Sequence, residues 1–173
     1  MITENHLHCL HCGAGLVLQI VDGIERQVCP SCGWVFYRQM KVSAGTVIEQ
    51  GGRLLLVQRA MPPWQGDWYL PAGYLEYDED PRRGAERETW EETGLVVQTK
   101  DVADVMFGDQ DPRGNVVTIL YTAKIVGGEL TTSSESAAVQ WFMPEEIPHN
   151  LAGSGHDQAI RAWQRTHRRE NDA

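Results

Sequence analysis

Hydrophobic and polar positions divide the chain into a short cysteine-bearing segment and a longer segment of strand-like runs. In the first segment, residues 16–20 and 27–28 predict two short strands. In the second, residues 42–49 and 54–58 flank a Gly51-Gly52 turn, a pattern typical of a β-hairpin. The alternation therefore predicts two separately folded units.

The region after this hairpin contains a loop and then a helix. Prolines exclude regular structure from residues 60–67. Asp80 can cap a helix whose first position is Pro81, and Gly94 suits the left-handed residue that ends a helix. The side chains expected to face a sheet are Ala85, Thr89 and Trp90.

Further strand patterns follow the helix. Residues 95–109 and 115–126 form two runs around a turn at 111–114, and residues 139–142 form a third. Residues 154–169 read as an amphipathic helix. The inner contacts of this helix are expected to be Ile160 and Trp163, and Trp68 and Trp141 are expected in the core. The order predicts an α/β fold with helices on both sides of a mixed sheet.

Composition and charge narrow the class of protein. The 173 residues are 42% hydrophobic, as in ordinary globular proteins, and no apolar run approaches the length of a membrane span. The first residues, MITENHLHCLHCG, lack the pattern of a secretory signal, so we expect a cytoplasmic protein. A net charge of −9 argues against nucleic acid as a partner. It suits an anionic substrate that arrives with a divalent cation.

The four cysteines form two closely spaced pairs. Cys9 and Cys12 precede Cys29 and Cys32 in the pattern CxxC…CxxC, with a glycine after each pair. This spacing predicts a tetrahedral zinc site and a zinc ribbon over residues 1–38, followed by a second domain over 39–173. The alternative is two disulfides, as in small secreted domains. With four thiols present, the nearby histidines are expected to be solvent-exposed: His6, His8 and His11.

The most acidic stretch, GYLEYDEDPRRGAERETWEETGL at residues 73–95, carries the candidate chemistry. On a helix, Glu88, Glu91 and Glu92 are spaced i, i+3 and i+4 and share one face. Three adjacent carboxylates repel one another unless a cation lies among them, and oxygen ligands suit hard divalent ions. The alternative is a solvated helix face, which is the ordinary role of a charge run.

This stretch resembles the Nudix box, the signature of a family that hydrolyses nucleoside diphosphates linked to another group. It matches at each charged and glycine position, while Thr89 replaces the usual aliphatic residue. The resemblance covers about residues 42–150 and implies an α/β/α sandwich with a mixed sheet. It also implies Mg²⁺ or Mn²⁺ as catalytic cofactor, a small nucleotide substrate, no membrane partner and a possible homodimer.

The resemblance assigns roles to residues of the box. Glu88, Glu91 and Glu92 would hold the divalent ions, and Glu79 would form an ion pair with Arg87. Gly73 would permit a backbone turn at which a carbonyl meets a metal or its water. These roles make the box a metal site for pyrophosphate hydrolysis.

Each candidate residue outside the box has two possible roles. Glu135 is the candidate general base or a solvated loop residue, and Ala138 stands where a second glutamate is frequent in the family. Arg59 contacts a substrate phosphate or pairs with an acid. Trp64 stacks on adenine, or it belongs to a lid or a dimer contact.

The sequence allows three hypotheses about what the protein acts on or binds. The pairing of a zinc ribbon with LPAGYLE and RETWEE resembles the Nudix subgroup assigned to ADP-ribose and FAD pyrophosphatases. A second zinc-ribbon subgroup cleaves NADH and carries an SQPWPFP-type motif, which is missing after residue 94. The remaining reading is a nucleotide-binding regulator, which has no need of an intact set of glutamates. The sequence therefore favours ADP-ribose or FAD.

Overall fold

The structure, a computed structural model, describes residues 7–171, with side chains as far as residue 168. It divides into two compact units that meet between Met40 and Lys41, two residues beyond the predicted boundary. His6 lies outside the described residues. Within them, no helix is long and apolar enough to cross a membrane.

The first unit is a three-stranded antiparallel sheet. Its strands are β1 (Val17–Val21), β2 (Ile24–Val28) and β3 (Val35–Phe36), in the order β1-β2-β3. The first two lie where the hydrophobic pattern predicts them. The third was not predicted, because two residues carry no alternation.

The second unit contains seven strands and two helices. Its elements are β4 (Lys41–Gln50), β5 (Arg53–Arg59), β6 (Trp68–Tyr69), β7 (Ala72–Tyr74), α1 (Pro81–Thr93), β8 (Leu95–Gly108), β9 (Val116–Gly128), β10 (Ser136–Phe142) and α2 (His156–Asn171). The strand order is β10-β5-β4-β9-β8, with β6 beside β5 and β7 beside β4. Because β4 and β9 are parallel and the other pairs antiparallel, the sheet is mixed, as predicted.

The two helices cover opposite faces of this sheet. On β9, Leu120 joins the cluster that includes Ile160 of α2, whereas the next residue, Tyr121, packs with Ala85 of α1. Successive residues of a strand point to opposite faces, so α1 and α2 enclose the sheet between them. Trp163 packs against the cluster that contains Leu120 and Ile160, as expected for an inner contact of α2. Of the two tryptophans expected in the core, Trp68 is buried and Trp141 is half-buried. The predicted α/β/α sandwich is confirmed.

Helix α1 begins and ends at the predicted residues. The Asp80 carboxylate accepts hydrogen bonds from two backbone N–H groups of the first turn, and Gly94 has a left-handed φ of 72°. Ala85 and Thr89 are buried as expected, but Trp90 was wrongly placed and is 57% exposed. The buried stripe continues instead through Glu92 and Thr93, at the 3.6-residue period of a helix.

Thr89 explains the departure from an aliphatic residue in the box. Its hydroxyl donates to the Ala85 carbonyl at 2.7 Å and shares a 2.7 Å hydrogen bond with the Thr46 hydroxyl on β4. The buried polar group is therefore paired, and the pair ties α1 to the sheet.

Candidate active site

A cavity of about 490 Å³ lies at the end of the sheet beside α1. Its walls come from β4, β5 and β7, from α1, from the turn between β8 and β9, and from the segments before β10 and α2. Eight of the predicted residues line it: Arg59, Trp64, Gly73, Arg87, Glu88, Glu91, Glu92 and Glu135. The sequence therefore names residues that are distant along the chain and close in space.

Arg87 holds three carboxylates at once. Its guanidinium donates to both oxygens of Glu79, at 2.7 and 2.8 Å, and Nη1 donates to Glu88 at 2.7 Å and to Glu91 at 2.9 Å. The hydrogen bonds from Arg87 lower the pKa of Glu79. The predicted Glu79–Arg87 ion pair is present, and it orients the arginine toward the metal-binding candidates.

Glu88 lies directly against Gly73. A Cβ at residue 73 would overlap the Glu88 carboxylate, so the carboxylate occupies space that only glycine leaves open. Gly73 lies within strand β7 and does not have a positive φ, which corrects the expected backbone turn. Burial raises the pKa of Glu88, although the neighbouring Arg87 opposes that shift.

Glu92 has the most enclosed carboxylate of the three. It is 5% exposed, and its oxygens accept hydrogen bonds from the Tyr69 hydroxyl and, at 3.0 Å, from the Ala72 N–H. Burial raises the pKa of Glu92 to about 8, despite both hydrogen bonds. Its environment therefore differs from that of Glu91, whose side chain is 45% exposed.

The three glutamates offer oxygen donors only, which suits Mg²⁺ or Mn²⁺. In the described part of the chain, the four cysteines are the one set of three or more candidate ligands within 4.8 Å of one another. Glu88 and Glu91 converge on Arg87 Nη1, whereas Glu92 is turned toward Tyr69. The residues fit a divalent ion in the kind of ligand atom, and joint binding by all three requires their carboxylates to rotate and Glu92 to lose its proton.

The candidates outside the box line the same cavity. Glu135 is exposed, and its backbone carbonyl accepts from the Ala60 N–H at 2.9 Å, which fixes the loop to the end of β5. Arg59 donates to the Pro63 carbonyl at 2.9 Å, and no ion pair to Arg59 occurs among the described residues. Trp64 is half-buried against the cluster that contains Tyr69.

A polar group that the sequence did not single out completes the cavity. Arg113 forms a bidentate ion pair with buried Asp111, with its Nη2 2.7 Å from Oδ2, and the Tyr74 hydroxyl donates to the same carboxylate at 3.1 Å. Burial alone would raise the pKa of Asp111, but the hydrogen bonds from Arg113 lower it to about 2. The sequence predicts a turn at DPRG and places the pocket for the second half of the substrate near residues 107–115, but it assigns no role to Asp111 or Arg113.

The cysteines form a second, separate cluster in the first unit. All four Sγ atoms lie within 4.8 Å of one another. The two closest recorded pairs are 3.5 Å for Cys12 and Cys29 and 3.7 Å for Cys9 and Cys32, far longer than the ~2.05 Å of a disulfide. The His11 N–H donates to Cys9 Sγ at 3.3 Å, and the His8 and His11 side chains are exposed as predicted. This arrangement suits a metal bound by four thiolates.

Comparison with known proteins identifies a family for each of the two units. Residues 38–163 match the NUDIX domain family, and residues 8–38 match the Nudix N-terminal zinc-ribbon family. A crystal structure of a NUDIX hydrolase from Nitrosomonas europaea is 32% identical, with a TM-score of 0.80, and the match covers 94% of this chain and 93% of that one.

Two curated relatives carry functional names. The ADP-ribose pyrophosphatase of Methanocaldococcus jannaschii is 32% identical over 75% of this chain and 76% of its own length. The NAD-capped RNA hydrolase NudC of Chromobacterium violaceum is 30% identical over 86% of this chain, but the match covers 57% of that protein.

The fold and the carboxylate cavity define a hydrolase that acts on phosphorus anhydrides. The chain belongs to the Nudix hydrolase family and carries the N-terminal zinc-ribbon domain found in part of that family. Divalent metals and small nucleotide substrates are general to this class.

Proposed function

We propose that this chain is a Mg²⁺- or Mn²⁺-dependent pyrophosphatase that cleaves ADP-ribose or FAD at the diphosphate and releases AMP. One observation carries the proposal: Arg87 gathers Glu79, Glu88 and Glu91 at a cavity that also contains Arg59 and Arg113. Carboxylates on one side and fixed cations on the other suit an anionic substrate that binds together with metal.

The residues of the box would have two kinds of role, metal binding and positioning of the metal ligands. Glu88, Glu91 and Glu92 would hold the divalent ions, which when bound neutralise phosphate charge and acidify water. Arg87 positions Glu88 and Glu91, and Glu79 holds Arg87 in place. This support is what a metal site needs, because ligand geometry depends on the groups that orient the ligands.

The remaining residues would act on water and on the substrate. Glu135 is exposed in the cavity wall and would accept the proton of the attacking water. Arg59 would donate to a phosphate oxygen. Trp64 would stack on a base. Arg113, held by Asp111 beside the Tyr74 ring, would contact the half of the substrate beyond the diphosphate.

The choice of substrate rests on the sequence and on one relative. The zinc ribbon combined with LPAGYLE and RETWEE favours ADP-ribose or FAD, and the relative at 32% identity is named an ADP-ribose pyrophosphatase. The relative named as an NAD-capped RNA hydrolase supports a second candidate, cleavage of NADH or of an NAD cap. The missing SQPWPFP-type motif argues against that candidate.

A panel of dinucleotides tests the proposal. ADP-ribose, FAD, NADH and an NAD-capped oligonucleotide are incubated with Mg²⁺ or Mn²⁺, with the Glu91→Gln variant as a blank. Release of AMP is measured for the first three substrates, and release of NMN is measured for the capped oligonucleotide. We expect the highest kcat/KM for ADP-ribose or FAD. A tenfold preference for NADH or for the capped RNA would transfer the assignment to the second candidate. Tight binding without turnover of any substrate would indicate a nucleotide-responsive regulator.

A further inference from the structure

Three buried side-chain atoms in the described part of the chain lack a hydrogen-bond partner, and two of them line the candidate active site. They are Ser154 Oγ and His156 Nδ1. A buried polar group without a partner destabilises a protein, so such groups are few and each needs a reason. Two of them belong to residues that line the cavity two positions apart, where a ligand can supply the missing partners.

The Ser154 hydroxyl has no structural role at the adjacent helix. A serine just before a helix ordinarily accepts a hydrogen bond from the first turn. Here α2 begins at His156, and the Asp157 N–H donates instead to the Ala152 carbonyl at 3.2 Å. Ser154 also has a left-handed φ of 61°, a conformation that favours glycine and that concentrates at ligand sites. The presence of a serine at this position is therefore not explained by the structure of the helix or its cap.

Close packing holds this segment in position. A Cβ at Gly108 would lie 2.6 Å from the Ser154 Cβ, and one at Gly155 would lie 2.7 Å from the Met106 Cβ. The end of β8 thus meets the segment before α2 with no room for a larger residue at either glycine. The backbone of this segment is consequently held in place before any ligand arrives, which lowers the entropic cost of binding, and rotation of the two side chains brings their buried polar atoms to the ligand.

The hydrogen-bonding chemistry of Ser154 and His156 indicates which chemical group of a ligand they would bind. Burial, aided by the positive charge of Arg59, lowers the pKa of His156 to about 4, so the imidazole is neutral at neutral pH. A neutral imidazole and a hydroxyl can each donate and accept hydrogen bonds. An ionised phosphate oxygen only accepts, and Arg59 in the same wall serves it better. A sugar hydroxyl donates and accepts, as these two side chains do.

We propose that Ser154 and His156 bind a ribose hydroxyl of the nucleotide substrate and so determine specificity for ribose over deoxyribose. The assignment rests on the proposed pyrophosphatase function, since the cavity that holds the diphosphate also holds these two residues. It adds recognition of the sugar to the cavity that contains the carboxylates of α1.

Binding of the product halves tests this assignment without any turnover. Calorimetry compares AMP with 2′-deoxy-AMP, and ribose 5-phosphate with 2-deoxyribose 5-phosphate. The wild-type protein should prefer the ribose form in at least one pair by roughly tenfold, the value of one net hydrogen bond. Equal affinity within both pairs would overturn the proposal. Because cleavage of dinucleotides is measured separately, failure of the sugar site and failure of the pyrophosphatase function give different results.

Three substitutions attribute the preference to the two side chains. Ser154→Gly removes the hydroxyl and suits the left-handed backbone, and His156→Phe keeps the ring volume without nitrogen. Both should bind the two sugars equally. His156→Asn retains a polar atom near the position of Nδ1 and should keep part of the preference. The control is Thr166→Ala, on the exposed side of α2.

The variants also separate recognition from stability. Melting curves show which variants fold, and Ser154→Gly keeps the test open should His156→Phe unfold. A ribose preference that survives unchanged in Ser154→Gly and in each folded His156 variant would overturn the proposal and assign the two atoms to ordered water.

Discussion

The Glu88 carboxylate occupies the space in which a Cβ of residue 73 would lie. This contact joins strand β7 to the proposed metal-binding face of α1 and explains why a glycine stands there without a positive φ.

Gly73→Ala should lower kcat by roughly a hundredfold or more. The added methyl group forces Glu88 away from Arg87, and displacement of a proposed metal ligand by about 1 Å costs activity on that scale. Steady-state kinetics at saturating Mg²⁺ measures the effect. The matched control is Gly127→Ala, where the new Cβ meets only Val96 at 3.9 Å. Equal activity of the two variants would mean that Glu88 is not held for catalysis.

Glu91→Gln should reduce kcat by two or more orders of magnitude and leave the melting temperature nearly unchanged. The side chain is 45% exposed, so its carboxylate contributes little to the fold, while loss of a metal ligand removes charge stabilisation in the transition state. Glu145→Gln, also at an exposed glutamate, serves as the control. Near-normal turnover of Glu91→Gln would contradict its place in the metal site.

Glu92→Gln should differ from Glu91→Gln by losing stability as well. Its carboxylate is buried and accepts hydrogen bonds from Tyr69 and Ala72, and an amide in that position replaces one acceptor oxygen by an NH₂ group, which leaves one of those donors without an acceptor. Thermal denaturation of the two variants side by side should show a lower melting temperature for Glu92→Gln alone. Identical melting temperatures would argue against the enclosed environment of Glu92.

One zinc ion per chain should copurify with the protein. The four Sγ atoms are close enough for a single tetrahedral ion and too far apart for disulfides, so elemental analysis should give about one zinc. Cys29→Ser should lose the zinc and unfold the first unit while some hydrolysis persists. Ser31→Ala, two residues away and exposed, should keep it. A zinc-free protein with four titratable thiols would reject this site.

Acid should destabilise the fold through His156. Its folded pKa of about 4 lies below the ordinary value of 6.5, so the unfolded chain binds a proton first. The stability of the neutral form is fully present above about pH 6.5 and is lost as the pH falls toward 4. Urea denaturation across this range should show a steeper loss for the wild type than for His156→Phe. Substitution of exposed His149 should leave the steep loss in place.

The elements of this fold follow from local signals wherever the chain repeats a pattern. Asp80, Pro81 and Gly94 define α1 to the residue, and alternation locates the long strands. Trp90 was wrongly placed because the helical period was extended past Thr89 to its neighbour. The parallel pairing of β4 with β9 was not deduced, since it depends on contacts between residues 75 positions apart.

The site was predictable where its residues stand within one motif. Glu88, Glu91 and Arg87 belong to a single helix, so spacing alone brings them together. Asp111 reaches the same cavity from the turn between β8 and β9, and Ser154 and His156 reach it from the start of α2. Nothing local marks Ser154 or His156 as part of a site. A serine hydroxyl without a partner is a property of packing in three dimensions, and a linear pattern does not contain it.

The positions of the cysteines and of the cavity residues along the chain also determine which unit can fold first during synthesis. The cysteine cluster is complete once residue 32 has been made, whereas the cavity needs residues from Ser43 on β4 to His156 at the start of α2. Domains fold as their sequences emerge, N-terminal first. The first unit can therefore fold and bind zinc on the ribosome before the residues of the cavity have all been made. Zinc binding is then possible earlier than nucleotide binding.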